Sequence, residues 1–360
     1  MTYKKIEKGK VATLIPAHNE ELVIAKTLEA VLRQCPKSDI YVVDDGSTDN
    51  TEAVIRKYTN NVLKIENLGK SGAVNKALKH FKLTNKYEYI FFMDADTQPE
   101  RNFLKIAMSH FDSDPKEEIN CVVGRVQGMG GSWVARYRLW EYEISHTIHK
   151  QAQSNLKSIL VVPGCATVYR SEVFKKLKFP TGTLTEDMDF TFLMHRNGFN
   201  NMLFDDRCVV TTQDPQTLKE FVKQVNRWYT GFWQAVRKHN VPWGGQMLDF
   251  EVAMLASEGL YNGLVVTSLL ASLVPLGLKG HLYIYQIPFF IDLFGFFIPT
   301  LLWSAVKNRS LKMLLNIPNF YFIRFLSSLL FFRSFFAGFL SKEKAYMWDT
   351  KRYLIAGGNK

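Results

Sequence analysis

The chain has 360 residues, of which 47% are hydrophobic and 14% aromatic, and it carries a formal charge of +11. That length excludes one small domain and suits a large α/β unit with further elements attached. The positive charge calls for an anionic partner, but no nucleic-acid-binding motif accompanies it, so nucleic acid ranks last.

In chain order, the opening MTYKKIEKGK has no apolar run of the kind a cleavable signal peptide needs. Short β-rich runs then follow at Val11–Ile15, Ile40–Val43, Val62–Ile65, Tyr89–Met93 and Cys121–Val123, with helical patterns near 20–34, 50–59, 70–82 and 100–111. Strands alternating with helices predict an α/β fold built on a mostly parallel sheet, with ligands beyond the carboxyl ends of the strands. An aromatic-rich helix is expected over 133–155, a short strand and turn over Leu160–Arg170, and a long helix over 215–239. In that last helix Leu218, Phe221, Val225, Trp228, Phe232 and Val236 recur at three- and four-residue spacing, opposite Lys219, Lys223, Arg237 and Lys238. The pattern suits a helix at the membrane interface, with an ordinary core-packed helix as the alternative.

Two apolar runs follow, 253–278 with the single charge Glu258 and 282–306 with the single charge Asp292. Each exceeds the roughly 20 residues needed to cross a bilayer. A third apolar segment, 311–340, contains Lys312, Arg324, Arg333 and Pro318, and it stays open between a crossing, an interfacial helix and a re-entrant one. Basic residues crowd beside these runs, among them Lys307, Arg309, Lys342 and Lys344. This placement favours anionic membrane lipids and a cytosolic catalytic domain. The expected boundaries are a catalytic domain over 1–212, the interfacial helix over 213–250, a membrane region over 251–341 and a basic tail over 342–360. The four cysteines, Cys35, Cys121, Cys165 and Cys208, are scattered without a CxxC pair. They fit reduced thiols and exclude a disulfide framework or a cysteine zinc site.

The residues that carry chemistry fall at strand ends. Asp94-Ala95-Asp96 follows an apolar strand, which offers two hard oxygen ligands to Mg²⁺ or Mn²⁺ beside a diphosphate. Asp44-Asp45-Gly46-Ser47 ends the second strand, where a carboxylate can bond a base or ribose and where Ser47 or Asp49 can equally cap the next helix. Pro16-Ala17-His18-Asn19-Glu20 ends the first, and Gly69-Lys70-Ser71-Gly72 follows the third, with Lys70 able to reach a phosphate. Neither a Walker A loop nor GxGxxG is present. In Thr185-Glu186-Asp187, Asp187 is the candidate base for an acceptor hydroxyl. The bland reading is a helix opened by Glu186, Asp187 and Asp189. Gln224, Arg227 and Trp228 share one helix face, where Arg suits diphosphate and Trp suits a sugar ring. His146 and His149 are read as structural, since no HExxH accompanies them.

Taken in order, Pro16–Glu20, Asp44–Ser47, Gly69–Asn75, Asp94–Asp96, Thr185–Asp187 and Gln224–Trp228 resemble the motifs of family 2 glycosyltransferases with a GT-A fold. The likeness is to the processive membrane synthases of cellulose, hyaluronan and poly-N-acetylglucosamine, and it covers about residues 10–240. The resemblance implies an inverting transfer from a UDP-sugar to a growing polysaccharide at the cytosolic membrane face. It implies nucleotide-sugar contacts from Pro16, His18, Glu20, Asp45, Lys70, Asp94 and Asp96, a Mg²⁺ or Mn²⁺ ion at Asp96, and catalysis by Asp187 with Glu186. Gln224, Arg227 and Trp228 then match the QxxRW motif for diphosphate and acceptor. Gly164 and Cys165 match the acceptor-side loop, and Trp348, Thr350 and Arg352 match a gating loop. Two crossings are fewer than polymer channels of the family use. Membrane enzymes that add one sugar to a lipid, such as ceramide glucosyltransferases, are therefore the alternative.

Overall fold

A computed structural model describes residues 6–272 and 286–340. The chain divides into two compact units: the first holds 6–127 and 150–213 of these residues, the second 128–149 and 214–340. Residues 128–149, which include helix Trp133–Ile144, go with the second unit.

The first unit is built on eight strands: β1 (Val11–Ala17), β2 (Ile40–Asp45), β3 (Val62–Ile65), β4 (Tyr89–Phe92), β5 (Gln98–Pro99), β6 (Cys121–Gly128), β7 (Thr167–Arg170) and β8 (Met202–Thr212). They form one sheet in the order β3-β2-β1-β4-β7-β6-β8-β5. The β3-β2-β1-β4 half is parallel, as the strand–helix alternation predicts. The other half departs from that expectation: β7 runs antiparallel to both β4 and β6, and β5 antiparallel to β8, so the sheet is mixed rather than mostly parallel. The parallel half needs helical crossovers, and Ile24–Leu32 and Gly69–His80 supply two of them.

In β1, β2 and β4 every residue is buried. This explains their near-continuous apolar runs, since helices cover both faces of a parallel sheet. Their core includes Leu14, Val43, Ile90, Phe92, Tyr169, Phe174 and Phe190. Phe174, Phe179 and Phe190 stack on one another, with centroids 4.3–5.6 Å apart. That aromatic stack lies beneath the start of helix Glu186–Arg196 and fixes where its first turn emerges.

The second unit is helical. The stretch expected as one helix over 133–155 is divided: Trp133–Ile144 and the π-helical turn Ser145–Lys150 up to residue 149 belong here, and Gln151–Asn155 belongs to the first unit. Helix Leu218–Lys238 begins with a capping box: the Thr217 hydroxyl accepts the Glu220 N–H, and the Glu220 carboxylate accepts the Thr217 N–H. Its apolar face contributes Phe221 and Val225 to a core with Val134, Tyr137, Trp140, Phe297, Leu301 and Phe320. Next comes helix Met247–Ser272, which exposes Phe250, Met254, Leu260 and Leu264.

Two helical stretches, Ile287–Lys307 and Leu311–Phe339, are long and apolar enough to cross a membrane by length and composition. The second falls in the segment that the sequence left open. Asp292 and Arg324, two of the charges within these stretches, meet each other. Arg324 forks onto both carboxylate oxygens of Asp292 at 2.5 and 2.9 Å, the Tyr321 hydroxyl donates to the same carboxylate at 2.8 Å, and Arg324 also donates to Asn262 at 2.8 Å. The turn expected near Lys279–His281 lies outside the described residues, as do Trp348, Thr350 and Arg352.

Candidate active site

The carboxyl ends of β1, β2 and β4 lie on one edge of the sheet because these strands run parallel and adjacent. At the end of β2, Asp44 is fully buried and its Oδ1 accepts the Ser47 N–H at 3.0 Å, closing the turn. Gly46 makes that turn with φ +73°, and a Cβ there would sit 2.9 Å from the backbone nitrogen of Asn67. Asp45 receives the Leu68 N–H at 2.7 Å. Burial raises its pKa, against the opposing pull of that bond and of His18.

His18 lies 2.7 Å from the Asp45 carbonyl through Nδ1. A carbonyl can only accept, so Nδ1 carries the proton and Nε2 is left to accept from Asn19 at 3.2 Å. The end of β1 is thereby tied to the end of β2. Glu20 is 1% exposed, so it reaches this edge through its backbone, whose N–H donates to Thr51 at 2.7 Å.

After β4, a turn closed by Thr97 N–H donating to the Asp94 carbonyl at 3.2 Å carries the Asp94-Ala95-Asp96 triplet. Ala95 is buried and its carbonyl accepts the Thr27 hydroxyl at 2.7 Å. With the middle residue pinned inward, the two carboxylates stay at the edge. Asp96 accepts the Thr97 hydroxyl at 3.2 Å.

The centre of the site is Lys70, on the first turn of Gly69–His80. Its ammonium lies 2.6 Å from Asp94 and 2.9 Å from Glu186, with 14% of the side chain exposed. Burial works against this charge, but Asp94, Glu186 and Asp187 outweigh it and hold the lysine pKa well above its usual value. Burial likewise raises Asp94; Lys70 opposes the shift and Asp96 adds to it. Gly164 makes room, since a Cβ there would lie 3.1 Å from the Lys70 nitrogen. A pocket beside this lysine is lined by Pro16, Phe92, Gly164, Phe179, Glu186 and Asp187, among others.

Asp187 stands in the first turn of Glu186–Arg196, where acids suit the helix dipole. The Glu186 and Asp187 carboxylates that open the helix also line the pocket. Asp189 is the one turned inward, fully buried with its Oδ2 accepting the Thr183 hydroxyl at 2.8 Å. Thr191 joins this helix to the loop before β7. Its hydroxyl donates to the Asp187 carbonyl at 2.7 Å and accepts the Val162 N–H at 2.9 Å.

Pro16, His18, Asp45, Lys70, Asp94, Asp96, Gly164, Cys165, Glu186 and Asp187 all belong to the first unit. Gln224, Arg227 and Trp228 belong to the second, on helix Leu218–Lys238, with Arg227 exposed and the other two half-buried. Among the described residues no group of three or more His, Cys, Asp or Glu is arranged to hold a metal unaided. Asp94 and Asp96 fit a Mg²⁺ or Mn²⁺ ion in another way, as the one or two carboxylates such an ion takes when phosphates complete its shell.

Lys150 has no signal in the sequence. It is 8% exposed and donates to the Val161 carbonyl at 3.1 Å, next to the loop that carries Gly164 and Cys165. Burial lowers its pKa from 10.5 to about 8, with Cys165 and Asp187 pulling the other way. Between these values the unfolded chain binds more protons than the folded one, so stability rises with pH from about 8 to 10.5. The charged lysine therefore costs the fold ~3 kcal/mol near neutral pH, and its hydrogen bond returns ~1 kcal/mol. Lys150→Met should stabilise the protein by about 2 kcal/mol at pH 7, and the gain should disappear toward pH 10.5. Thermal unfolding of both proteins across this range checks the sign; a difference that ignores pH would contradict it.

Residues 13–178 match the family model described as Glycosyl transferase family 2. Uncharacterized glycosyltransferase YaiP of Escherichia coli (strain K12) is 26% identical over 243 residues, covering 65% of this chain and 59% of that protein. A poly-beta-1,6-N-acetyl-D-glucosamine synthase of Staphylococcus epidermidis is 25% identical over 244 residues, covering 63% of this chain and 57% of that protein. The chain thus spans less than two thirds of the length of these curated relatives. Among solved structures, mannosyltransferase PcManGT from Pyrobaculum calidifontis, in complex with GDP-Man and Mn2+, has a TM-score of 0.58 at 16% identity, covers 92% of this chain and 88% of that one, and shows the same fold. Residues 13–178 are thus similar to family 2 glycosyl transferases, and this stretch holds β1 to β4 with the acidic edge at their carboxyl ends.

Proposed function

We propose that the chain transfers a sugar from a UDP-sugar to a growing polysaccharide at the cytosolic face of a membrane, with inversion at the anomeric carbon. The observation that carries this reading is the Lys70 cluster: one cation held by Asp94 and Glu186, with Asp187 lining the same pocket. Asp45 and the Pro16–Glu20 segment take the nucleoside. Asp187 removes the proton from the acceptor hydroxyl, whose oxygen then attacks the anomeric carbon as the bond to the nucleoside diphosphate breaks on the opposite side. Lys70, and Arg227 from the QxxRW motif, balance the negative charge on the departing diphosphate. Gln224 and Trp228, with Gly164 and Cys165, serve the acceptor. A Mg²⁺ or Mn²⁺ ion, when bound, lowers the charge of the diphosphate, and Asp96 with Asp94 would hold it. The two apolar stretches and their basic flanks support the membrane location.

The test is nucleotide release by the purified chain in nanodiscs with Mn²⁺ or Mg²⁺, over a panel of UDP-sugars and GDP-mannose, followed by sizing of the product. The expected result is UDP from one donor and a high-mass polymer. A product of one sugar on one lipid would replace the polymer reading with single transfer to a lipid. Release of GDP instead of UDP would overturn the assigned donor.

A further inference from the structure

Arg138, in the middle of helix Trp133–Ile144, is a charged residue with no exposed surface to speak of: 4% remains accessible. Its guanidinium meets the Glu141 carboxylate at 2.5 Å and donates to the Gln224 amide oxygen at 2.7 Å. The same group lies over the Trp228 ring at 4.6 Å and the Phe221 ring at 4.9 Å. One side chain therefore touches two of the three polar or aromatic residues of the QxxRW motif. All the groups concerned lie within the second unit.

A guanidinium is the one side chain that can do this. Its edge donates in the plane while its face stacks on an indole, and neither lysine nor glutamine offers both. The contact also settles the Gln224 amide. Its oxygen must face Arg138, so its NH₂ points elsewhere and presents a donor, the polarity that phosphate or hydroxyl oxygens need. Burying a charge is costly unless every partner is in place, and here the partners are the motif itself and Glu141.

We propose that Arg138 is a positioning residue, which holds the Gln224 amide and the Trp228 ring in the orientation used for sugar transfer. This rests on the reading of the QxxRW motif given above. The test uses the full chain in nanodiscs and the donor that turns over in the panel. Arg138→Met alone leaves the half-buried Glu141 carboxylate without its arginine, so the paired Arg138→Met, Glu141→Leu variant guards against simple misfolding.

Transfer should fall roughly 10- to 100-fold in either variant, as for outer residues that orient a reactive group. In a Gln224→Ala, Trp228→Ala background the same change should cost less than about threefold, because its effect passes through residues already removed. The near-UV circular dichroism contributed by Trp228, taken as native minus Trp228→Phe, should be lost in the paired variant. Arg138→Lys should not restore transfer, since an ammonium cannot stack and fork together.

Equal losses in the native and Gln224→Ala, Trp228→Ala backgrounds would mean a merely structural role and would overturn the proposal. So would a paired variant with native transfer while Gln224→Ala and Trp228→Phe are impaired. Native transfer by Gln224→Ala and Trp228→Phe themselves would bring down the motif reading first, and this proposal with it.

Discussion

Asp187→Asn should lower sugar transfer by roughly 10²- to 10⁴-fold, the range that a positioned general base contributes, while leaving the fold and nucleotide binding intact. The substitution is close to isosteric. Asp187 Oδ1 accepts the Met188 N–H at 2.8 Å, and an asparagine oxygen can do the same. The Asp187 carbonyl keeps its bond from Thr191 whatever the side chain. Lys70 retains its direct partners Asp94 and Glu186 and loses only the more distant pull of Asp187. What disappears is the capacity to accept a proton from the acceptor hydroxyl. Transfer rate, UDP affinity and melting temperature measured on the same preparation separate these contributions. A normal transfer rate would show that Asp187 is not the base. A lost rate accompanied by a large fall in melting temperature would assign the residue to the fold instead.

The second large effect is expected between the two long apolar stretches. Removing either Arg324 or Asp292 alone should destabilise the protein by roughly 3–5 kcal/mol, because each leaves the other charge buried without compensation. Asp292 is fully buried, and its partners Arg324 and Tyr321 come from helix Ile317–Phe335. Arg324 reaches on to Asn262, so one guanidinium connects three helical segments. The fork onto both carboxylate oxygens is the strong, directional form of this interaction. Replacing the two together with Leu and Met should cost far less than the sum of the single changes, because no charge is then left unpaired. Thermal unfolding in nanodiscs of the two single variants and the double variant measures this. Additive effects, or single changes worth less than about 1 kcal/mol, would show that the pair does not hold these helices together.

The same pair shows how far a sequence can be read. Asp292 and Arg324 look like isolated faults in apolar runs, and Arg324 lies in the segment that stayed open between a crossing, an interfacial helix and a re-entrant one. Their 32-residue separation carries no local signal that they pair. Once paired, their charges cancel, and both stretches keep the composition of membrane spans.

In the antiparallel half of the sheet, β8 was hidden for a related reason. β8 is long, but Asp205, Asp206 and Arg207 break its apolar pattern in the middle. Asp205 is nevertheless buried. His110 at 2.7 Å and Arg207 at 2.6 Å hold its carboxyl well below the usual carboxylate range despite desolvation. His110 comes from a helix 95 residues earlier in the chain, so nothing local announces the strand.

By itself the sequence determined the parallel strands β1 to β4, the helices between them, and the set of acidic, basic and small residues at their ends. These follow from short-range rules: buried parallel strands must be apolar along their whole length, and chemistry must wait for the turn where the strand stops. It also located the long amphipathic helix and its QxxRW spacing, since helical periodicity is local. Only the tertiary structure decided which of those charges meet. Lys70 turned out to be the shared partner of Asp94 and Glu186, Arg138 the support of Gln224 and Trp228, and Lys150 a buried amine. The physical reason is that an ion pair or a desolvated charge depends on distance and burial, and neither is encoded in the identity of a residue or its immediate neighbours.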